Sequence, residues 1–179
     1  FLSGLALGVA APAWGERAAG LGMLAFALWL LRFDVARRTV RHAGLPRFVA
    51  VALLSGYVWL LAAGVLAAAL PPWEYKQAYG ATLHAVFLGF AMAMVFGHAP
   101  IVFPAVLGVP IPFRRAFYVH LALLEASVAL RAAGDLGGWL PVSQWGGLMG
   151  ALALVRVFAT TAITAASAAL GTRASARST

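Results

Sequence analysis

Residues 84–100, HAVFLGFAMAMVFGHAP, decide the fold class of this chain, because they form a long apolar run without a Lys, Arg, Asp or Glu. The rest of the chain continues the pattern: it is 63% hydrophobic and 10% charged, and its mean hydropathy is +0.91. Soluble globular domains contain about 45–50% apolar and about 25% charged residues. The sequence therefore predicts an all-α integral membrane protein in contact with the lipid bilayer.

Apolar runs on both sides of this stretch predict about five transmembrane helices in an antiparallel bundle. The helices are expected at about residues 15–33, 48–70, 77–98, 115–133 and 142–170. The segment FLSGLALGVAAPAW before them is too short to cross a hydrocarbon core of about 30 Å, so it is expected to be the tail of a truncated helix or an interfacial segment. Residues 1–170 are thus predicted to form a single transmembrane helical bundle.

The segment APIVFPAVLGVPIPF, residues 99–113, carries four prolines, which break straight helices. It is nearly devoid of polar side chains. Irregular backbone exposed to lipid would leave its amide groups unsatisfied. We therefore expect a kinked or re-entrant loop, packed against protein, between the third and fourth helices. The polar segment GTRASARST, residues 171–179, is expected to be a disordered cytoplasmic tail.

Basic residues are unevenly distributed between the two sides of the predicted bundle. One side holds Arg32, Arg37, Arg38, Arg41, Arg47, Arg114, Arg115, Arg173 and Arg177, whereas the other holds Arg17, Lys76 and Arg131. By the positive-inside rule the arginine-rich side is cytoplasmic. We therefore predict a multi-pass protein of the bacterial inner membrane, whose net charge of +8 reflects its topology and not a nucleic-acid partner.

Histidines are the candidate metal ligands, because the absence of cysteine excludes thiolate sites and iron–sulfur clusters. In an α-helix, His84 and His98 would lie about 21 Å apart along the axis and about 40° apart around it. His120 is expected at the depth of His98 on the antiparallel fourth helix, so these two could clamp one metal centre, either haem b or copper. His84 would then form a separate outer site. The alternative is that the histidines bridge helices or relay protons.

Two further charges fall inside predicted spans, where an isolated charge is costly. Glu125 lies near the middle of the fourth helix and Arg156 near the middle of the fifth, which predicts a structural ion pair between them. The functional alternative is that Arg156 pairs with a haem propionate and that Glu125 belongs to a proton path.

The runs HAVFLGFAMAMVFGHAPIVFPAVLG and FYVHLALLEASVALRAAGDL resemble bacterial membrane proteins related to the NnrS haem- and copper-containing proteins and, more distantly, subunit I of haem–copper oxidases. The resemblance covers about residues 81–136 and implies that His84, His98 and His120 are ligands. The chain departs from the oxidases because it lacks adjacent histidines and a His-x-His helix. Catalysis by this chain alone is therefore not expected.

The sequence leaves two functions open. The first is a membrane electron-transfer subunit of a bacterial redox complex that binds b-type haem or copper through its histidines. The second is a structural accessory subunit, without a cofactor, of a respiratory or photosynthetic complex. Both imply other membrane subunits as partners. A transporter or channel is disfavoured, because neither a polar path nor an inverted repeat is visible in the sequence.

Overall fold

A computed structural model of the protein describes residues 11–71, 75–108 and 113–176. All regular secondary structure in these residues is helical, without a strand. The elements are α1 (Pro12–Phe33), α2 (Ala36–Thr39), α3 (Leu45–Ala69), α4 (Lys76–His84), a π-helical segment (Ala85–Ala91), α5 (Met92–Leu107), α6 (Ala116–Gly137) and α7 (Leu140–Ala176).

Four stretches of the described chain are long and apolar enough to cross a membrane. They are Leu45–Ala69, Lys76–Val106, Ala116–Gly137 and Leu140–Thr160. Large apolar side chains also remain exposed along these helices, as lipid contact requires. The chain is therefore an all-helical, multi-pass membrane protein.

The predicted first span is a helix, α1, but it is not among these four stretches. Its apolar part lies between Arg17 and Arg32 and is only about 21 Å long, which is shorter than a hydrocarbon core of about 30 Å. The Tyr57 hydroxyl donates a hydrogen bond of 3.1 Å to Asp34, so α1 ends level with the middle of α3. A fifth span is thus not confirmed, and the segment before α1 falls largely on residues 1–10, outside the described residues.

The helices on either side of the chain's centre form two tightly packed antiparallel pairs, α1 with α3 and α6 with α7. The turn inside the second pair depends on Gly138, whose φ of 66° ends α6. The Trp139 N–H then donates to the Gly134 carbonyl at 2.8 Å, and α7 begins at the next residue. The third spanning stretch lies between the pairs: α4 packs mainly against α6, whereas α5 packs mainly against α3.

The proline-rich segment differs from its prediction, because helix continues through Pro100 and Pro104 to Leu107. A proline removes one backbone donor, but such a loss is tolerated inside a bundle where neighbouring helices pack closely. Ala99 and Pro100 are buried here against the rest of the bundle. The expected re-entrant loop is thus replaced by helix as far as Leu107. Pro110 and Pro112 lie outside the described residues.

The last helix, α7, is longer than predicted, since it continues to Ala176 and enters the expected tail. The core joins all the described spans: it includes Phe48 from α3, Phe96 from α5, Leu124 from α6 and Ala153 from α7. The Phe48 ring also contacts Phe113, Phe117 and Tyr118, with ring centroids 5.2–5.8 Å apart. These contacts place the start of α3 and the start of α6 at one end of the bundle.

This arrangement leads to a topology prediction. A cysteine introduced at Ala43, in the exposed loop before α3, is expected to react with an impermeant thiol reagent from the cytoplasmic side. A cysteine introduced at the exposed Gly137 is expected to react from the opposite side, because α6 crosses the bundle between its two ends. Labelling of intact cells and of inverted vesicles checks both positions. Reaction of both cysteines from the same side would contradict this topology.

Candidate functional site

The ring nitrogens of His84 and His98 are held in the same way. His84 Nδ1 lies 2.7 Å from the Gly80 carbonyl oxygen, and His98 Nδ1 lies 2.8 Å from that of Met94. Because a carbonyl oxygen only accepts, Nδ1 must carry a proton, and Nε2 of each neutral ring keeps a lone pair. A backbone carbonyl bound to one ring nitrogen is the usual support of a histidine that ligates a metal through the other.

The two histidines nevertheless face different surroundings, although regular α-helical spacing would place them only about 40° apart around the axis. His84 is half-buried and its Nδ1 lies 3.9 Å from Asp135 of α6, whereas His98 is exposed. The π segment between them explains the change, because the Met92 N–H bonds to the Phe87 carbonyl, five residues back. One extra residue in a turn shifts the following residues by about 100°, which moves the histidines from about 40° to about 140° apart.

His120 is the buried histidine of the bundle, with only 6% of its surface exposed. Neither of its ring nitrogens makes a well-formed hydrogen bond among the described residues, although the Ala116 carbonyl, one helical turn back, is close enough to act on the imidazole. The ring lines a cavity of about 10 Å³, enough for about one water molecule. The other walls of this cavity are apolar and largely aromatic: Phe48, Phe96, Ala99, Pro100, Phe103, Phe117 and Val157.

The predicted clamp between His98 and His120 is not formed around this cavity, because its lining does not include His98. The described residues also contain no cluster of three His, Asp or Glu side chains that could hold a metal ion. Arg156 is exposed, but it is close enough to His120 for its charge to act on the imidazole. The donor chemistry at His120 therefore fits an axial haem ligand, whereas the cavity volume in this conformation does not admit a porphyrin ring.

The predicted ion pair between Glu125 and Arg156 is wrong. Glu125 points toward α3, where its carboxylate accepts a hydrogen bond of 2.7 Å from the Ser55 hydroxyl and a short one from Trp59 Nε1. The helix register explains the error: close contacts of α7 with α6 pair Gly146 with Arg131 and Gly150 with Ser127. Continuing this register puts Arg156 one helical turn away from Glu125, at the level of His120.

Ser55, Trp59 and Glu125 form a polar cluster, which Trp59 connects to the π segment. Gly89, inside that segment, lies so close to the Trp59 ring that a Cβ on this glycine would overlap the indole. A bulkier residue at this position would displace the ring from Glu125. The polar cluster therefore depends on a small residue within the π-helical segment.

A second polar cluster lies where α4 meets the α6–α7 turn, and the sequence interpretation did not anticipate it. The Asp135 carboxylate lies 3.2 Å from Arg131 Nε and accepts a hydrogen bond from the Ser143 hydroxyl. The Asp135 side chain is only 12% exposed, although it lies two residues before the end of α6. The spacing of Arg131 and Asp135, four residues on one helix, was the signal that could have identified the pair.

A family model described as a domain of unknown function, DUF8744, matches residues 1–167. This range includes His84, His98, His120, Glu125 and Arg156. No curated protein and no solved structure matches the chain.

Proposed function

This chain belongs to the DUF8744 family, and from its own residues we propose that it is a haem-binding membrane subunit for electron transfer, with His120 as an axial ligand. The observation that carries this proposal is the buried His120 ring, whose two nitrogens make no well-formed hydrogen bond among the described residues. An imidazole that is buried but unpaired is costly unless it binds something. The aromatic side chains around it are typical of the apolar surroundings of b-type haem, and the helices that carry them would have to separate to admit the porphyrin.

The other predicted site residues would have different roles. Arg156, near His120, is the cation that would pair with a haem propionate. His98 faces away from the cavity, so it would serve as a ligand only toward another subunit, and its free Nε2 is suited to that use. His84 would be a ligand of a separate site, supported by Gly80 and Asp135. Haem, when bound, supplies one-electron transfer, and the chain excludes water and orients the ring.

An optical spectrum of the purified protein, oxidised and then reduced with dithionite, tests the proposal. The wild-type protein is expected to show a Soret band and reduced haem b bands, and His120→Ala is expected to lose them. His120→Met is expected to keep haem with a changed spectrum, because a thioether also ligates haem iron. His42→Ala is the matched control, since His42 is exposed in a loop, and its spectrum is expected to equal that of the wild type.

A cofactor-free accessory subunit is the second candidate function. The small volume of the His120 cavity favours it, because close packing without room for a ligand is what a purely structural bundle needs. A wild-type protein that is folded, supplied with haem and still without a Soret band would support this function and would contradict the haem proposal.

A further inference from the structure

A basic pocket lies where α1 ends and the short helix α2 begins. It is an open cavity of about 490 Å³. Its lining consists of Arg32, Phe33, Asp34, Val35, Arg37, Arg38 and Arg41. Four arginine residues therefore line one space at the end of α1.

Local hydrogen bonds fix the frame of this pocket. The Arg37 guanidinium donates to the Arg32 carbonyl oxygen at 2.7 Å, which ties α2 to the last turn of α1. Asp34 accepts a hydrogen bond from the Ala36 N–H at 2.7 Å and another from the Tyr57 hydroxyl at 3.1 Å, which ties the turn to α3. The pocket is thus part of the folded bundle.

The positive charge of the pocket exceeds the negative charge among the residues that line it. Asp34 is the only carboxylate in its lining, and both of its oxygens are used in fixing the turn. In the part of the chain that the structure describes, no carboxylate forms an ion pair with Arg32, Arg37, Arg38 or Arg41. Four arginines against one carboxylate leave an excess of positive charge that attracts an anion.

The level of the pocket indicates where this anion comes from. Asp34 lies beside Tyr57, which is about 18 Å along α3 from its first residue, so the arginines are not at the outermost end of the bundle. Charged side chains at such a depth draw lipid headgroups toward them by snorkelling and local thinning of the bilayer. Phe33 and Val35 are 65% and 69% exposed between the arginines, and they provide an apolar surface beside the charges.

We propose that this pocket binds the phosphate-bearing headgroup of an anionic membrane lipid. The arginines contact the phosphate, for which the planar guanidinium group is well suited, and Phe33 and Val35 contact the apolar part of the lipid. A soluble phosphate ion would use the arginines but gain nothing from the two apolar side chains. The pocket therefore selects a lipid over the free anion.

Native mass spectrometry of the full chain tests this inference after the protein is extracted from vesicles of phosphatidylglycerol and phosphatidylcholine. The wild-type protein is expected to retain phosphatidylglycerol in preference to phosphatidylcholine. Arg38→Gln combined with Arg41→Gln is expected to weaken this retention by about thirtyfold. These two side chains are chosen because, unlike Arg37, neither donates a hydrogen bond to the backbone of the turn among the described residues.

The matched control is Arg114→Gln combined with Arg115→Gln, which removes the same charge from exposed positions outside the pocket. This control is expected to retain phosphatidylglycerol like the wild type, and an equal loss in both double variants would overturn the specific site. Inorganic phosphate in excess is expected not to displace the lipid, and displacement would reassign the pocket to a soluble anion. Both double variants must keep the helix content of the wild type, as measured by circular dichroism. If the Arg38 and Arg41 double variant does not, Arg41→Gln alone is used, and it is expected to weaken lipid retention about fivefold.

Discussion

Gly64→Leu is expected to lower the free energy of unfolding by about 3 kcal/mol, because it forces α1 away from α3. A Cβ on Gly64 would lie 2.6 Å from the backbone nitrogen of Leu24 and 2.9 Å from the Gly20 carbonyl oxygen. Gly20 is equally close to α3, since a Cβ there would lie 2.6 Å from the Ala68 nitrogen. Backbone atoms on both sides cannot move aside as a flexible side chain would, so the helices must separate.

Denaturant unfolding in mixed micelles measures this effect. Val65→Leu is the matched control, because it changes the neighbouring residue on the same helix, where the side chain is 49% exposed. Its free energy of unfolding is expected to stay within about 0.5 kcal/mol of the wild type. Equal midpoints for the two variants would show that α1 and α3 do not approach as closely as described.

The second large effect is expected between Glu125 and Trp59. Glu125→Leu removes the acceptor of the Trp59 indole N–H and of the Ser55 hydroxyl, and Ser55 keeps only its bond of 3.0 Å to the Ala52 carbonyl. Trp59→Phe removes the indole donor. The two changes together are expected to cost about 1–3 kcal/mol less than the sum of the single changes, because each single change leaves a partner unpaired.

Arg156→Gln provides the control for this double-mutant cycle. Since Arg156 is exposed and makes no contact with Glu125 in the described residues, the effects of Glu125→Leu and Arg156→Gln are expected to add within about 0.5 kcal/mol. Coupling of Glu125 to Arg156, with additivity toward Trp59, would restore the ion pair predicted from the sequence and contradict the structure.

Apolar length predicted most of the helices, because a membrane span needs about 20 consecutive apolar residues whatever its neighbours are. The helices α3, α6 and α7 begin within three residues of their predicted starts. Pro100 and Pro104 were assigned to a loop but lie in a helix. The sequence shows that each proline lacks a backbone N–H donor, but it does not show the packing that compensates for this loss. The first span was overestimated because its length was counted across Arg17 and Arg32.

The candidate site was less predictable than the helices. Glu125 and Arg156 have similar depths when each helix is measured from its own ends, but the register of α6 against α7 depends on which glycines touch, and a single sequence does not show it. The relation between His84 and His98 was calculated for a regular α-helix. The π segment changes the angle between the two histidines around the helix axis. No local sequence pattern identifies the residue at which a helical turn takes up an extra residue.

The π segment also has a mechanical consequence. The backbones of the α1–α3 and α6–α7 pairs come close at few places in the described chain, and the third spanning stretch lies between them. Side chains also join the pairs directly, because Ser55 and Trp59 of α3 bond to Glu125 of α6. The π turns of the third stretch face α3 mainly, and the Trp59 ring is held between Gly89 and the Glu125 carboxylate at that contact. A rotation of one helical pair against the other would therefore act on this π-helical turn as well as on the side-chain contacts of Glu125 with α3.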